Sequence, residues 1–142
     1  MAARFPLIVD GSGTPAIKEI VSGDVLDLTG LQVKLGTEAT LSDGATIAWD
    51  VSASPIASVT LGGNRTLALP TNPVGNGQYI SLLVIQDGTG SRTLTWNAAY
   101  EFTTDTAPTL TTTASKGDLF TFRYYNGAKW IEVGRNLNLT LS

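Results

Sequence analysis

The stretch Asp118-Leu119-Phe120-Thr121-Phe122-Arg123-Tyr124-Tyr125-Asn126-Gly127-Ala128-Lys129-Trp130-Ile131-Glu132-Val133 decides the fold class. On both sides of Asn126-Gly127, bulky apolar residues alternate with polar ones, the period-two pattern of a strand with one face buried. Asn-Gly accepts the positive φ angles that the tightest hairpin turns demand. The segment therefore predicts an antiparallel hairpin, 118–125 against 128–133.

Upstream, the same alternation recurs between glycine turns. In Thr46-Ile47-Ala48-Trp49-Asp50-Val51, the residues Ile47, Trp49 and Val51 share a face. Residues 56–61 and 65–70 flank Gly62-Gly63-Asn64, a spacing that predicts a second antiparallel hairpin. Residues 78–86 are apolar on both faces for much of their length, as in a strand at the centre of a sheet. Asp87-Gly88-Thr89-Gly90 turns the chain into a half-buried strand, 91–96, with Leu94 and Trp96 on one side. No stretch holds a 3.6-residue apolar period for more than a turn, so helix is expected to be nearly absent. Roughly seven to nine short strands in about 90 residues predict an all-β fold, an antiparallel β-sandwich of jelly-roll type.

Residues 36–134 form the expected sandwich core. The first 35 residues hold only short apolar pieces, Phe5, Leu7-Ile8-Val9, Ile17 to Val21 and Val25 to Leu28, broken by glycine and proline, and read as an extended N-terminal arm. Residues 135–142 read as a short C-terminal strand, with Leu137, Leu139 and Leu141 alternating. A free apolar strand invites aggregation, so this tail is expected to pair, with a neighbouring subunit or within its own chain.

Composition narrows the chemistry. The 142 residues suit one domain plus arms, and contain no Cys and no His. Disulfides, thiolate nucleophiles, imidazole bases and the usual zinc or iron ligand sets are closed to it. No cofactor is expected. Nine basic against 12 acidic side chains leave a net charge of -3, the wrong sign for a phosphate backbone, so no nucleic-acid partner is expected either. Asp10-Gly11-Ser12-Gly13 interrupts the first apolar stretch too early for a secretory h-region, and no apolar run reaches membrane-helix length. The expectation is a soluble protein made in a reducing cytoplasm, with no membrane partner.

Candidate sites reduce to carboxylates, aromatics and arginines. Glycoside hydrolysis requires two carboxylates across a cleft, but Asp43, Asp87, Asp105 and Asp118 sit in turn-like contexts where aspartate bonds its own backbone. Asp50 reads as a solvent-facing strand residue. Ser22-Gly23-Asp24-Val25-Leu26-Asp27 offers oxygens for calcium but lacks the spacing of a dedicated loop. Gly75-Asn76-Gly77 and Gly88-Thr89-Gly90 lack the lysine and helix of a phosphate loop, and read as turns. Trp49, Trp96, Phe120 and Phe122 read as core; Tyr100, Tyr125 and Trp130 are open to a sugar-stacking role. Arg65, Arg92 and Arg123 read as ion-pair or interface residues rather than a nucleic-acid stripe.

The succession from Val59-Thr60-Leu61-Gly62-Gly63-Asn64-Arg65-Thr66-Leu67 through Ile85-Gln86-Asp87-Gly88-Thr89-Gly90-Ser91-Arg92-Thr93-Leu94-Thr95-Trp96 and Ala107-Pro108-Thr109-Leu110 to Phe122–Val133 resembles a β-module of bacteriophage virion proteins, found in tail fibres and capsid decoration proteins. The resemblance implies a phage structural protein with no catalytic role. Its first expectation is a capsid decoration, or cement, protein on the outer capsid surface. It would act as a homotrimer contacting the major capsid protein through Phe5, Leu7, Ile8 and Val9 of the arm and Leu137, Leu139 and Leu141 of the tail. The alternative is a short tail fibre, or a receptor- or glycan-binding adhesion module.

Overall fold

The computed structural model describes residues 36–141 throughout, and within the first 35 residues only the pairing of two short strands. The chain divides into two units, Met1–Val33 and Lys34–Ser142. In the first, β1 (Ile8–Val9) runs antiparallel to β2 (Pro15–Ala16), with Ile8 opposite Ala16 and Val9 opposite Pro15.

The second unit is all-β apart from one 3₁₀ turn, Thr103–Asp105. From β3 (Ala39–Thr40) the chain passes through β4 (Thr46–Ile47), β5 (Ile56–Leu61), β6 (Arg65–Leu67), β7 (Tyr79–Gln86) and β8 (Leu94–Trp96). These six strands alternate between two sheets. β3, β5 and β7 lie side by side and parallel in one sheet; β4, β6 and β8 do the same in the other. The chain thus winds through three stacked coils, each giving one strand to each layer.

This winding corrects the expected hairpin of 56–61 with 65–70. Leu61 and Arg65 belong to different sheets, and the glycines between them form a corner. Neither Gly62 nor Gly63 has the positive φ a tight hairpin turn needs. The backbone of β6 is bonded instead to the coils on either side, Arg65 N–H donating to Thr93 O (2.9 Å) and Thr66 N–H to Ala45 O (3.0 Å). The two-layer all-β reading stands, with mixed rather than purely antiparallel strand directions.

The remaining strands are β9 (Tyr100–Glu101), β10 (Lys116–Tyr125) and β11 (Lys129–Thr140). They extend the first sheet to six strands, in the order β3-β5-β7-β10-β11-β9. β10 and β11 form the predicted antiparallel hairpin, turning on Asn126 (φ 53°) and Gly127 (φ 68°). β11 runs on to Thr140, so Leu137 and Leu139 continue one long strand, with Gly117 opposite Leu139 and Lys116 opposite Thr140. Register shifts interrupt this ladder twice. At one of them the buried Asp118 accepts from Thr111 N (2.7 Å), Thr111 Oγ1 (2.7 Å) and Asn138 N (2.9 Å), which satisfies a carboxylate that burial would otherwise penalise.

Inward residues of both layers make one core. In-register rows cross it: Ile47, Leu67 and Trp96 in one sheet, Ala57, Leu82 and Phe120 in the other. β7 lies at the sheet centre as expected, its inward side chains fully buried and its outward Ser81, Leu83 and Ile85 half-buried. Opposite β10 and β11 the three-stranded layer has ended, and aromatic side chains take its place. Trp96 lies 4.9 Å from Phe120 and 5.2 Å from Phe102 by ring centroid, and Tyr100 lies 4.9 Å from Phe122, all edge to face.

Polar staples set the register of the coils along one edge. Asp43, in the first coil, accepts from Gly62 N (3.1 Å) and takes the Arg65 guanidinium with both oxygens (2.7 and 2.8 Å). Asn64 reaches the third coil, accepting from Thr93 N (3.1 Å). Gln86 clamps the backbone of Arg92 with both ends of its amide, and Asp87 caps Thr89 and Gly90 while pairing with Arg92. Gly90 has φ 75°, and a Cβ there would lie 2.5 Å from Thr112 O. Gly90→Ala is expected to destabilise the fold by about 2–4 kcal/mol, read as the shift in urea-unfolding free energy, because it adds left-handed strain to a backbone clash.

The Arg92 guanidinium, followed by the Gly90 amide, pulls the Asp87 carboxyl down from 3.8 to about 2, and Arg65 lowers Asp43 in the same direction. A carboxyl depressed in the folded state stabilises fully above its ordinary value and loses that contribution as pH falls through the folded value. The thermal midpoint is therefore expected to fall between about pH 4 and pH 2, and Asp87→Asn to flatten that part of the profile.

Candidate functional site

The corners that leave β4, β6 and β8 lie at the edge of the fold opposite the staples, around residues 50–55, 69–78 and 97–99. Here too, side chains organise backbone. Asp50 accepts from Ser52 Oγ (2.8 Å), from Asn72 Nδ2 (2.9 Å) of the next coil and from Ser52 N (3.0 Å), and these bonds, the Ser52 hydroxyl foremost, lower its carboxyl. Gln78 donates to Val51 O (3.2 Å) and accepts from Val74 N (2.9 Å). Two hollows lie along this edge. A largely apolar cavity of about 410 Å³ lies among Val51, Pro55, Val74 and Tyr79, with the Gln78 amide already engaged. A second, of about 270 Å³, lies among Trp96, Asn97, Tyr100, Glu101, Phe102 and Asp105.

The second cavity joins aromatic surface to polar groups. Trp96 and Phe102 are half-buried, Tyr100 is buried, and Asp105 is exposed. Glu101 is ion-paired with Lys129. Asn97 uses its side-chain oxygen to accept from Ala99 N (2.9 Å), which leaves its NH₂ group for other partners. Among the described residues no cation or donor engages the Asp105 carboxylate. Thr104 (φ 59°) and Asp105 (φ 53°) are consecutive non-glycine residues in the left-handed region, a conformation Asp adopts readily and a β-branched Thr only at a cost. Trp96 Nε1 and the Tyr100 hydroxyl are buried without a protein partner, and burial raises the Tyr100 phenol far above its usual range.

The residues proposed from sequence are distributed elsewhere. Phe5 and Leu7 lie outside the described residues, as does the segment 22–27 considered for calcium. Ile8 and Val9 pair with β2. Leu137 and Leu139 lie near the end of β11, and Leu141, just beyond it, packs beside Leu83 over Gly117. Trp49, Phe120 and Phe122 are core, as read, and Trp130 joins them. Tyr79 and Tyr125 keep about half their surface in solvent, 52% each. Arg65 and Arg92 form ion pairs with Asp43 and Asp87, and Arg123 is exposed opposite Tyr79 and Ile131. Asp105 was read as a turn residue, and its place beside Trp96 had no local sequence signal.

Residues 39–130 match the model of a protein family described as "Putative phage tail fibre C-terminal domain". The chain belongs to that family. It is a phage virion structural protein, and the match takes in all three coils, both cavities and the hairpin turn. Leu137, Leu139 and Leu141 fall beyond the matched residues. A search of curated proteins and a search of solved structures each found no match.

An orphaned buried hydroxyl in this tail-fibre domain carries a desolvation penalty with nothing to offset it. Tyr100→Phe is expected to stabilise the domain by about 1 kcal/mol, measured as a raised thermal midpoint. A lowered midpoint would show that the hydroxyl is bonded after all.

Proposed function

We propose that this domain is a host-contact module of a phage tail fibre, acting by adhesion and without catalysing a reaction. The observation that carries this reading is the family match across the edge opposite the staples, where one cavity opens between two successive corners of a parallel-stranded scaffold and a second beside the corner that follows β8. Parallel strands deliver their carboxyl ends to one side, and the loops leaving them are free to vary without disturbing the core. The earlier expectation of a cement protein bound to the major capsid protein has less support. Of its C-terminal contact residues, Leu139 is paired with Gly117 within its own sheet. Assembly as a homotrimer is kept in the tail reading, since fibres present their contact surfaces in symmetric sets.

Purified domain is expected to slow phage adsorption to host cells in a dose-dependent way. Quantitative mass spectrometry of virions is expected to find copies on the order of ten, as for tail parts. Hundreds of copies per particle, with no effect on adsorption, would return the protein to the shell.

A further inference from the structure

We infer that the cavity between Trp96 and Asp105 is a binding site for one uncharged sugar ring. This inference rests on the adhesion reading and names its ligand. Four observations converge on it.

The first is size. At about 270 Å³ the cavity falls just below the range of drug-sized sites, so it accommodates a single six-membered ring with its substituents rather than an extended chain. The second is the pairing of surfaces. Trp96 and Phe102, packed edge to face with ring centroids 5.2 Å apart and with Arg135 over the Phe102 ring, leave part of their apolar carbon at the cavity for the C–H groups of a pyranose, and polar groups stand at the rim.

The third is the polarity of those groups. The Asn97 NH₂ is a donor and the Asp105 carboxylate an acceptor, and neither is consumed by the protein among the described residues. A hydroxyl both donates and accepts, so neighbouring ring hydroxyls satisfy the pair together; the bond to the carboxylate is charge-assisted and the stronger of the two. The fourth is charge. Of the two wall carboxylates only Glu101 is balanced, by Lys129, so the cavity keeps an uncompensated negative charge. Uronic and sialic acids and phosphorylated sugars are thereby disfavoured. The left-handed backbone at Thr104 and Asp105 is the strained element that holds the acceptor in place.

The apolar cavity beside Tyr79 is a weaker site for such a ligand, because the Gln78 amide is tied to Val51 and Val74.

The test is a titration of the ¹⁵N-labelled domain with methyl glycosides of glucose, galactose, mannose and N-acetylglucosamine, and with glucuronate and inorganic phosphate. At least one neutral glycoside is expected to shift the Trp96 indole and Asn97 side-chain signals, with millimolar affinity. Asp105→Asn, which suits the left-handed backbone and should leave the melting curve unchanged, is expected to weaken that binding about tenfold. The inference is overturned if no neutral glycoside moves those signals, if the anions bind better, or if Asp105→Asn binds equally well. Should the domain block adsorption while the cavity stays silent, the sugar site falls and adhesion stands. Should the sugar bind while adsorption is unaffected, the site stands and adhesion falls.

Discussion

Strand β7 takes hydrogen bonds in two different geometries, parallel to β5 on one side and antiparallel to β10 on the other. The coiled part of the fold and the hairpin part meet only there within the sheet. Inward Leu82 sits between Ala57 of the coils and Phe120 of the hairpin, and Val84 between Val59 and Asp118. In the row of Leu82, a small side chain on the coil side, Ala57, is matched by a large ring on the hairpin side, Phe120, where the three-stranded layer has ended. Burial of such rings supplies the greater energy, since truncating a buried Phe typically costs about 3–5 kcal/mol, whereas exposed ion pairs add little. The pairs at Asp43 and Asp87 therefore act chiefly on register.

The two long edges of the coils divide structure from function. On one, Asp43 and Asn64 lock a corner to the next through backbone amides and an arginine, and Gln86 and Asp87 brace the third corner from within. On the other, the corners are held at their bases by Asp50 and Gln78 and leave hollows between and beside them. A stiff edge is what lets the opposite one present side chains in fixed positions, the condition for a preformed binding site. Asp105, Asn97 and the aromatic floor owe their arrangement to the point where the three-stranded layer ends and irregular chain must cover Phe120 and Phe122.

How much of this was legible in the chain depends on the range of each interaction. Asn126-Gly127 between two alternating segments specified its hairpin, because turn and strands are contiguous. Trp49, Phe120 and Phe122 were readable as core from alternation alone, and the lack of Cys and His removed whole classes of chemistry at once. Gly62-Gly63-Asn64 misled for the complementary reason: a corner between sheets and a hairpin turn place similar residues between similar strands. What distinguishes them is the destination of the Arg65 and Thr66 amides, which bond to Thr93 and Ala45. The coil repeat was hidden too, since Ala39, Ala57 and Leu82 are register partners at unequal spacings.

By itself the sequence determined the all-β class, the hairpin, the identity of most core residues and the absence of imidazole and thiolate chemistry, since these follow from residue type and period-two alternation within a few neighbours. Tertiary structure alone decided strand direction, the partner of each strand and the meeting of Asn97 and Asp105 beside Trp96 and Phe102. Alternation specifies which face of a strand is buried, and is blind to the strand that lies beside it. Parallel pairing joins residues some twenty positions apart, and only the folded chain brings them into register.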